Sequence, residues 1–158
     1  MSRQILRNIH NTLTVPAQFK NLKKIRRFVK KFIRQAGFNE DESYKVQLAV
    51  DEACSNIIEH AYTGENQGDI VCSCECSNEE LIIQLVDYGK SFDPERIEAP
   101  DLHSSLKDRK TGGLGLYFIH QLMDEVTFTI VPESVAVNGE GVVDRPANML
   151  VIVKRRSR

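Results

Sequence analysis

The chain has 158 residues and a mass of 18.0 kDa, the size of one ordinary domain of roughly 100 to 200 residues. Hydrophobic residues make up 41% and charged residues 27%, a globular balance that excludes a disordered, collagen-like or disulfide-dense chain. With 21 basic against 22 acidic residues the net charge is −1, so no overall field draws the protein to nucleic acid or to a membrane surface.

No apolar run approaches the roughly 20 residues that a bilayer span requires, and Arg3 and Arg7 are followed by no apolar signal core. The expectation is a soluble, unexported, cytoplasmic protein with no membrane and no nucleic-acid partner. Cys54, Cys72, Cys74 and Cys76 suit a reducing compartment. The last three alternate along what reads as one strand, which lines them up on one face. A zinc site would need a second ligand pair elsewhere, and the sequence has none, so the row reads as small buried thiols.

In chain order, residues 4–15 mix β-branched and polar residues and stop before Pro16, the pattern of an edge strand. Leu22, Ile25, Val29 and Phe32, widened by Phe28 and Ile33, form a helical stripe, with Gly37 placed as its C-cap. The opposite face carries Lys20, Lys23, Lys24, Arg26, Arg27, Lys30, Lys31 and Arg34 and no acid. That face is either a solvated surface or a docking surface for an acidic partner or nucleic acid, of which the protein partner is preferred. Asn39 and Glu42 have capping-box spacing ahead of a second helix that runs to about Ala61, before the turn Gly64 to Gly68.

Ile70 to Cys76 and Leu81 to Val86 read as a strand pair. Residues 89–113, with Gly89, Pro94 and Pro100, form a connection too long to be idle, and loops of that length are commonly lids. A third helix starts at Gly113 or Leu114, with Leu116, Ile119, His120 and Met123 spaced to face a core. Val126 to Val131 and Met149 to Val153 read as the last strands, joined by Pro132 to Asn148. No internal repeat or domain break interrupts residues 1–158, so a single domain is expected.

Three clusters carry chemistry. Glu52 and Asn56, four apart, share a helix face with the small residues Ala49 and Ala53. A carboxylate and an amide turned inward are costly unless something pairs them, and a ligand is one such partner. Asp87 closes an apolar strand and is followed by Tyr88 and Gly89. Gly112, Gly113, Leu114 and Gly115 open a helix, where free N–H groups and the dipole favour an anion. The sequence contains neither a P-loop nor a full Rossmann fingerprint, so any phosphate site is of another kind.

Glu52-Ala-x-x-Asn56, Asp87-x-Gly89 and Gly-Gly-Leu-Gly-Leu, followed by Met123-Asp124-Glu125-Val126, resemble in order and spacing the histidine-kinase-type ATPases of the GHKL superfamily, and within it the anti-sigma factor serine kinases of the RsbW type. The resemblance implies an α+β two-layer sandwich, a mixed and mostly antiparallel sheet with helices on one face, binding ATP and Mg2+. It implies that Asp87 accepts the adenine amine, that Gly89 leaves room for the base, and that Asn56 ligates the metal. Glu52 is implied as the general base toward a serine hydroxyl. Thr111, Gly112, Gly113, Leu114 and Gly115 are implied to hold the phosphates. The basic lid residue that the family places just before the glycines is displaced here to Arg109 or Lys110. The family also often has a base-contacting Thr near the start of the last strand, where this chain offers Met149 and Leu150. His60 matches a His-Ala-Tyr ending of the family and reads as a helix-end residue favoured by the dipole.

The implied function is an ATP-dependent protein serine/threonine kinase that binds a sigma factor and phosphorylates an anti-anti-sigma factor with a STAS domain, and that works as a homodimer. The alternative is a nucleotide-gated anti-sigma or switch module without transfer activity, suggested by the displaced lid cation.

Overall fold

The structure, a computed structural model, describes residues 9–91, 111–131 and 146–157, with the backbone alone for 111–115. Elements follow in the order β1 (Ile9–Pro16), α1 (Leu22–Ala36), α2 (Glu40–Asn56), β2 (Asp69–Cys76), β3 (Glu80–Asp87), α3 (Thr111–Leu122), β4 (Glu125–Val131) and β5 (Ala147–Arg155). A short 3-10 turn, Phe19–Asn21, precedes α1, and a π-helical turn, Ile57–Ala61, continues α2. The five strands form one sheet in the order β1-β2-β3-β5-β4, and every described pairing is antiparallel. β3 and β4 therefore run parallel to each other on either side of β5.

The sheet and the helices share one main core. Ile25, Val29 and Phe32 of α1, Val46, Ala49 and Val50 of α2 and Ile119 of α3 meet Cys72, Cys74, Leu81, Ile83, Leu85 and Ile152 of the sheet. This is the expected two-layer α+β architecture, with a sheet that is antiparallel throughout its described pairings where the resemblance implies a mixed one. α1 follows its predicted stripe and ends on Gly37, whose φ of 72° is the left-handed conformation that glycine adopts without a side-chain penalty. The Asn39 side chain accepts from the Glu42 N–H at 2.8 Å, and Glu42 reaches back to the Asn39 N–H at 3.1 Å, so the predicted capping box is formed.

The cysteine row is buried as expected, and Cys54 joins it. Burial pushes the Cys54 thiol well above its ordinary range, and a hydrogen bond with Cys72, reinforced by burial, does the same to Cys74. Such thiols stay protonated and unreactive. β1 is an edge strand, but it includes Pro16; residues 4–8 of the predicted strand lie outside the described residues.

Three readings are corrected. α3 starts at Thr111, so the glycines fall within its first turns instead of preceding it. His120 is exposed, because the core-facing side of α3 is already occupied by Ile119. Asn148 belongs to β5 and is 2% exposed, where the sequence pattern assigned it to the preceding connection.

Glu42 also accepts from the Ser157 N–H at 2.6 Å, tying the end of the chain to the start of α2. Burial opposes its charge, but the Ser157 and Asn39 donors and Lys154 outweigh that and hold the carboxyl below its ordinary value. The stability it contributes is therefore present above the ordinary Glu range and is lost as pH falls through the lowered folded-state value. Glu42→Ala should cost about 2 kcal/mol at neutral pH, measured by urea unfolding, from the lost cap and a hydrogen bond to a charged group. The difference from wild type should shrink in acid, and a difference that stays constant with pH would contradict this account.

Candidate functional site

Asp87 is the last residue of β3, and its position follows from strand chemistry. The apolar run Leu81 to Val86 carries the chain through the core and delivers the carboxylate to the strand end still only 5% exposed. Oδ1 accepts from the Gly89 N–H at 2.9 Å and from the Asn148 side-chain amide at 2.8 Å. Oδ2 accepts no hydrogen bond among the described residues and is not sealed from solvent. Burial pushes the Asp87 carboxyl above its ordinary value, and the donors from Asn148 and Gly89 work against that rise. The result is a mostly buried carboxylate with one oxygen paired and the other open, an acceptor available to a donor.

Gly89 has a reason of its own. A side-chain carbon there would lie 2.5 Å from the backbone carbon and oxygen of Ala61, and Lys90 N–H donates to the same Ala61 oxygen at 2.7 Å. The bare backbone lets the turn after β3 seat directly on the π-helical end of α2. Tyr62 adds a second joint, its hydroxyl donating to the Asp69 carbonyl at 2.7 Å and accepting from the Tyr88 N–H at 2.9 Å. Thus the strand end with Asp87 and the helix end with Asn56 are held as one unit. π-helical turns often mark functional sites, and this one begins at the residue after Asn56.

Glu52 and Asn56 are both half-buried on the stripe that contains the buried Ala49 and Ala53. At about 1.5 Å per residue they stand roughly one turn apart. Glu52 makes no ion pair or hydrogen bond among the described residues. Asn56 Nδ2 is buried with no hydrogen-bond partner among them. Orphaned buried polar groups are rare in folded proteins and call for an explanation such as an unseen ion or ligand. Glu52, Asn56 and Asp87 each offer oxygen atoms of the kind that a hard cation or a nucleotide takes, and no cluster of three or more His, Cys, Asp or Glu side chains placed to hold a metal occurs among the described residues.

α3 packs against α2. The described part of α3 opens on Thr111, Gly112, Gly113, Leu114 and Gly115. Arg109 and Lys110 lie outside the described residues. His60 is exposed in the π-helical turn, 3.9 Å from Glu59. Met149 and Leu150 hold no polar group against Asp87; the residue that does is Asn148, one position earlier. Its signal was a lone amide at the opening of an apolar strand, and strand register was needed to bring it beside Asp87.

The sequence profile of the histidine kinase-like ATPase domain matches residues 15–138. A serine-protein kinase RsbW from Halalkalibacterium halodurans is 33% identical over 118 residues, covering 72% of this chain and 72% of the relative. The protein of the same name from Bacillus subtilis is 33% identical over 118 residues, covering 72% of this chain and 74% of its own. That from Listeria monocytogenes is 32% identical over 119 residues, covering 73% and 76%. Among solved structures, the RsbU and RsbW domains of a Mycobacterium tuberculosis protein superpose with a TM-score of 0.61 at 14% identity. That likeness of fold covers 95% of this chain, which spans 33% of the other. The chain belongs to the histidine kinase-like ATPases and, within them, to the RsbW serine-protein kinases.

Proposed function

We propose that the chain binds ATP with Mg2+, transfers the γ-phosphoryl group to a serine of a small anti-anti-sigma (STAS-type) antagonist, and otherwise holds a sigma factor in the cytoplasm. The observation that supports this reading is the buried Asp87 carboxylate, whose two donors among the described residues both fall on Oδ1 and leave Oδ2 open. An exocyclic amine of adenine is a donor that fits such an oxygen. The Gly89 turn supports the base, and the α3 N–H groups from Thr111 to Gly115 bind phosphate oxygens.

Asn56 would hold the metal through its side-chain oxygen, and its unpartnered nitrogen, a donor, would find its acceptor in a phosphate oxygen. Mg2+, when bound, neutralises charge on the phosphate oxygens. Glu52, unpaired and one turn away, takes the proton from the serine hydroxyl as that oxygen bonds to the γ-phosphorus and the bond to the ADP oxygen breaks. Arg109 or Lys110 supplies the cation that stabilises the transferring group. The test separates binding from transfer. Asn56→Ala should weaken Mg2+-dependent ATP binding by about tenfold or more in calorimetry, the loss expected for a metal ligand or its support. Glu52→Gln should leave that binding within about twofold and slow phosphotransfer from labelled ATP by about a hundredfold. Transfer at the wild-type rate by Glu52→Gln would remove Glu52 from the base role. Tight ATP binding by wild type with no transfer to any antagonist of the same genome would favour the nucleotide-gated switch.

The cationic face of α1 is the proposed partner surface, in a homodimer that engages an acidic patch on the sigma factor. All eight cations, Lys20 in the turn before α1 and seven on α1, are exposed, and among the described residues only Arg26 is tied down, by Asp51 at 2.7 Å. The remaining charges are free to speed association with an opposite field. Reversing Lys23, Lys24 and Arg27 to Glu should weaken sigma-factor capture by at least about tenfold at low salt while ATP affinity stays unchanged. Capture that survives the reversal would show the face to be solvated only.

A further inference from the structure

We infer that Asn148 is a positioning residue that makes the site read an amino-bearing purine edge over an oxo-bearing one, by fixing which oxygen of Asp87 faces the base. This rests on the nucleotide reading above. Asn148 opens β5, is 2% exposed, and is the register partner of Asp87 across the β3–β5 ladder. Its side-chain nitrogen donates to Asp87 Oδ1 at 2.8 Å and to the Gly89 carbonyl at 3.1 Å, with the Lys90 carbonyl at 3.4 Å. Its side-chain oxygen accepts from the Ser91 hydroxyl at 2.7 Å.

This set of partners admits one orientation of the amide. Turned over, its oxygen would face a carboxylate and two carbonyls, all acceptors, whereas the Ser91 hydroxyl on the far side can donate or accept. With Gly89 N–H and Asn148 both on Oδ1, the carboxylate plane is pinned and Oδ2 is the oxygen left for a ligand. The Asn148 donor also favours the charged form against the effect of burial, which keeps Oδ2 an acceptor. A pinned acceptor suits the 6-amino group of adenine and repels the 6-oxo group of hypoxanthine. Without Asn148 the carboxyl group is free to rotate or to take a proton, and a protonated oxygen would donate to a 6-oxo group. The discrimination therefore belongs to Asn148 as much as to Asp87. Ser91, the last described residue before the long connection, is held by the same amide, so the beginning of that segment and the base acceptor share one side chain.

The experiment is calorimetry with Mg-ATP and Mg-ITP on wild type, Asn148→Ala and Ser91→Ala, with thermal melting to follow the fold. Wild type should prefer ATP by about a hundredfold, in keeping with sites built around a hydrogen bond that the analogue lacks. Asn148→Ala should lose about tenfold for ATP and less than about threefold for ITP, so that the preference collapses. Ser91 is exposed, so Ser91→Ala retains the fold and should lose about threefold for ATP through a less firmly held amide. Equal weakening of both nucleotides by Asn148→Ala, or no weakening, overturns the proposal, because a merely structural residue would leave the preference intact. Should Asn148→Ala not fold, Ser91→Ala decides, and an unchanged ATP preference there overturns it. A wild type that binds ATP and ITP equally well defeats this inference alone; one that binds neither defeats the nucleotide site itself.

Discussion

The site depends on a carboxylate kept half-satisfied in a dry place. Asp87 sits at the end of an apolar strand, loses most of its water, and among the described residues receives donors on one oxygen, two on Oδ1. Burying such a group without full pairing costs free energy that a fold tolerates where the missing donor arrives with a ligand. The other features of the site follow from holding that carboxylate in register with the second helix. Gly89 is bare so that its turn can rest on Ala61, Lys90 locks that contact through its N–H, and Tyr62 bridges the two neighbouring strands.

That coupling matters because the chemistry implied by the family is distributed over separate elements. Asp87, the proposed base acceptor, lies on β3, while Glu52 and the amide of Asn56, both without partners among the described residues, lie on α2. Phosphoryl transfer asks little covalent work of a protein and a great deal of positioning, so the relative placement of strand end and helix end is itself a catalytic asset. The π-helical turn from Ile57 to Ala61 is the hinge of this arrangement, since it begins next to Asn56 and ends at the carbonyl that accepts from Lys90.

Local signals were legible in the sequence because their physics is local. The spacing of Asn39 and Glu42 announces a reciprocal cap, Gly37 announces a left-handed residue, and the α1 stripe needs only the helical repeat. The motif residues Glu52, Asn56 and Asp87 were equally visible, because their order along the chain is a family signature. What escaped depends on tertiary contact. Asn148 reaches Asp87 across 61 positions and only through strand register, Arg26 finds Asp51 on another helix, and the need for Gly89 arises from a backbone 28 positions earlier. His120 was misplaced for the same reason, as helical spacing alone does not say which of two adjacent positions the core already fills.

The most direct measurement exchanges the open oxygen for a donor without disturbing its neighbour. In Asp87→Asn the side-chain oxygen can still accept from Gly89 and Asn148, while an amide nitrogen replaces Oδ2. Because the folded-state value of Asp87 is raised, the stability linked to it is present below the ordinary Asp value and is lost as pH rises through the raised one, a loss that a neutral Asn avoids. The account predicts that Asp87→Asn melts at or above the wild-type temperature at neutral pH yet binds Mg-ATP about a hundredfold more weakly in calorimetry. A variant that is folded and binds ATP as tightly as wild type would contradict it.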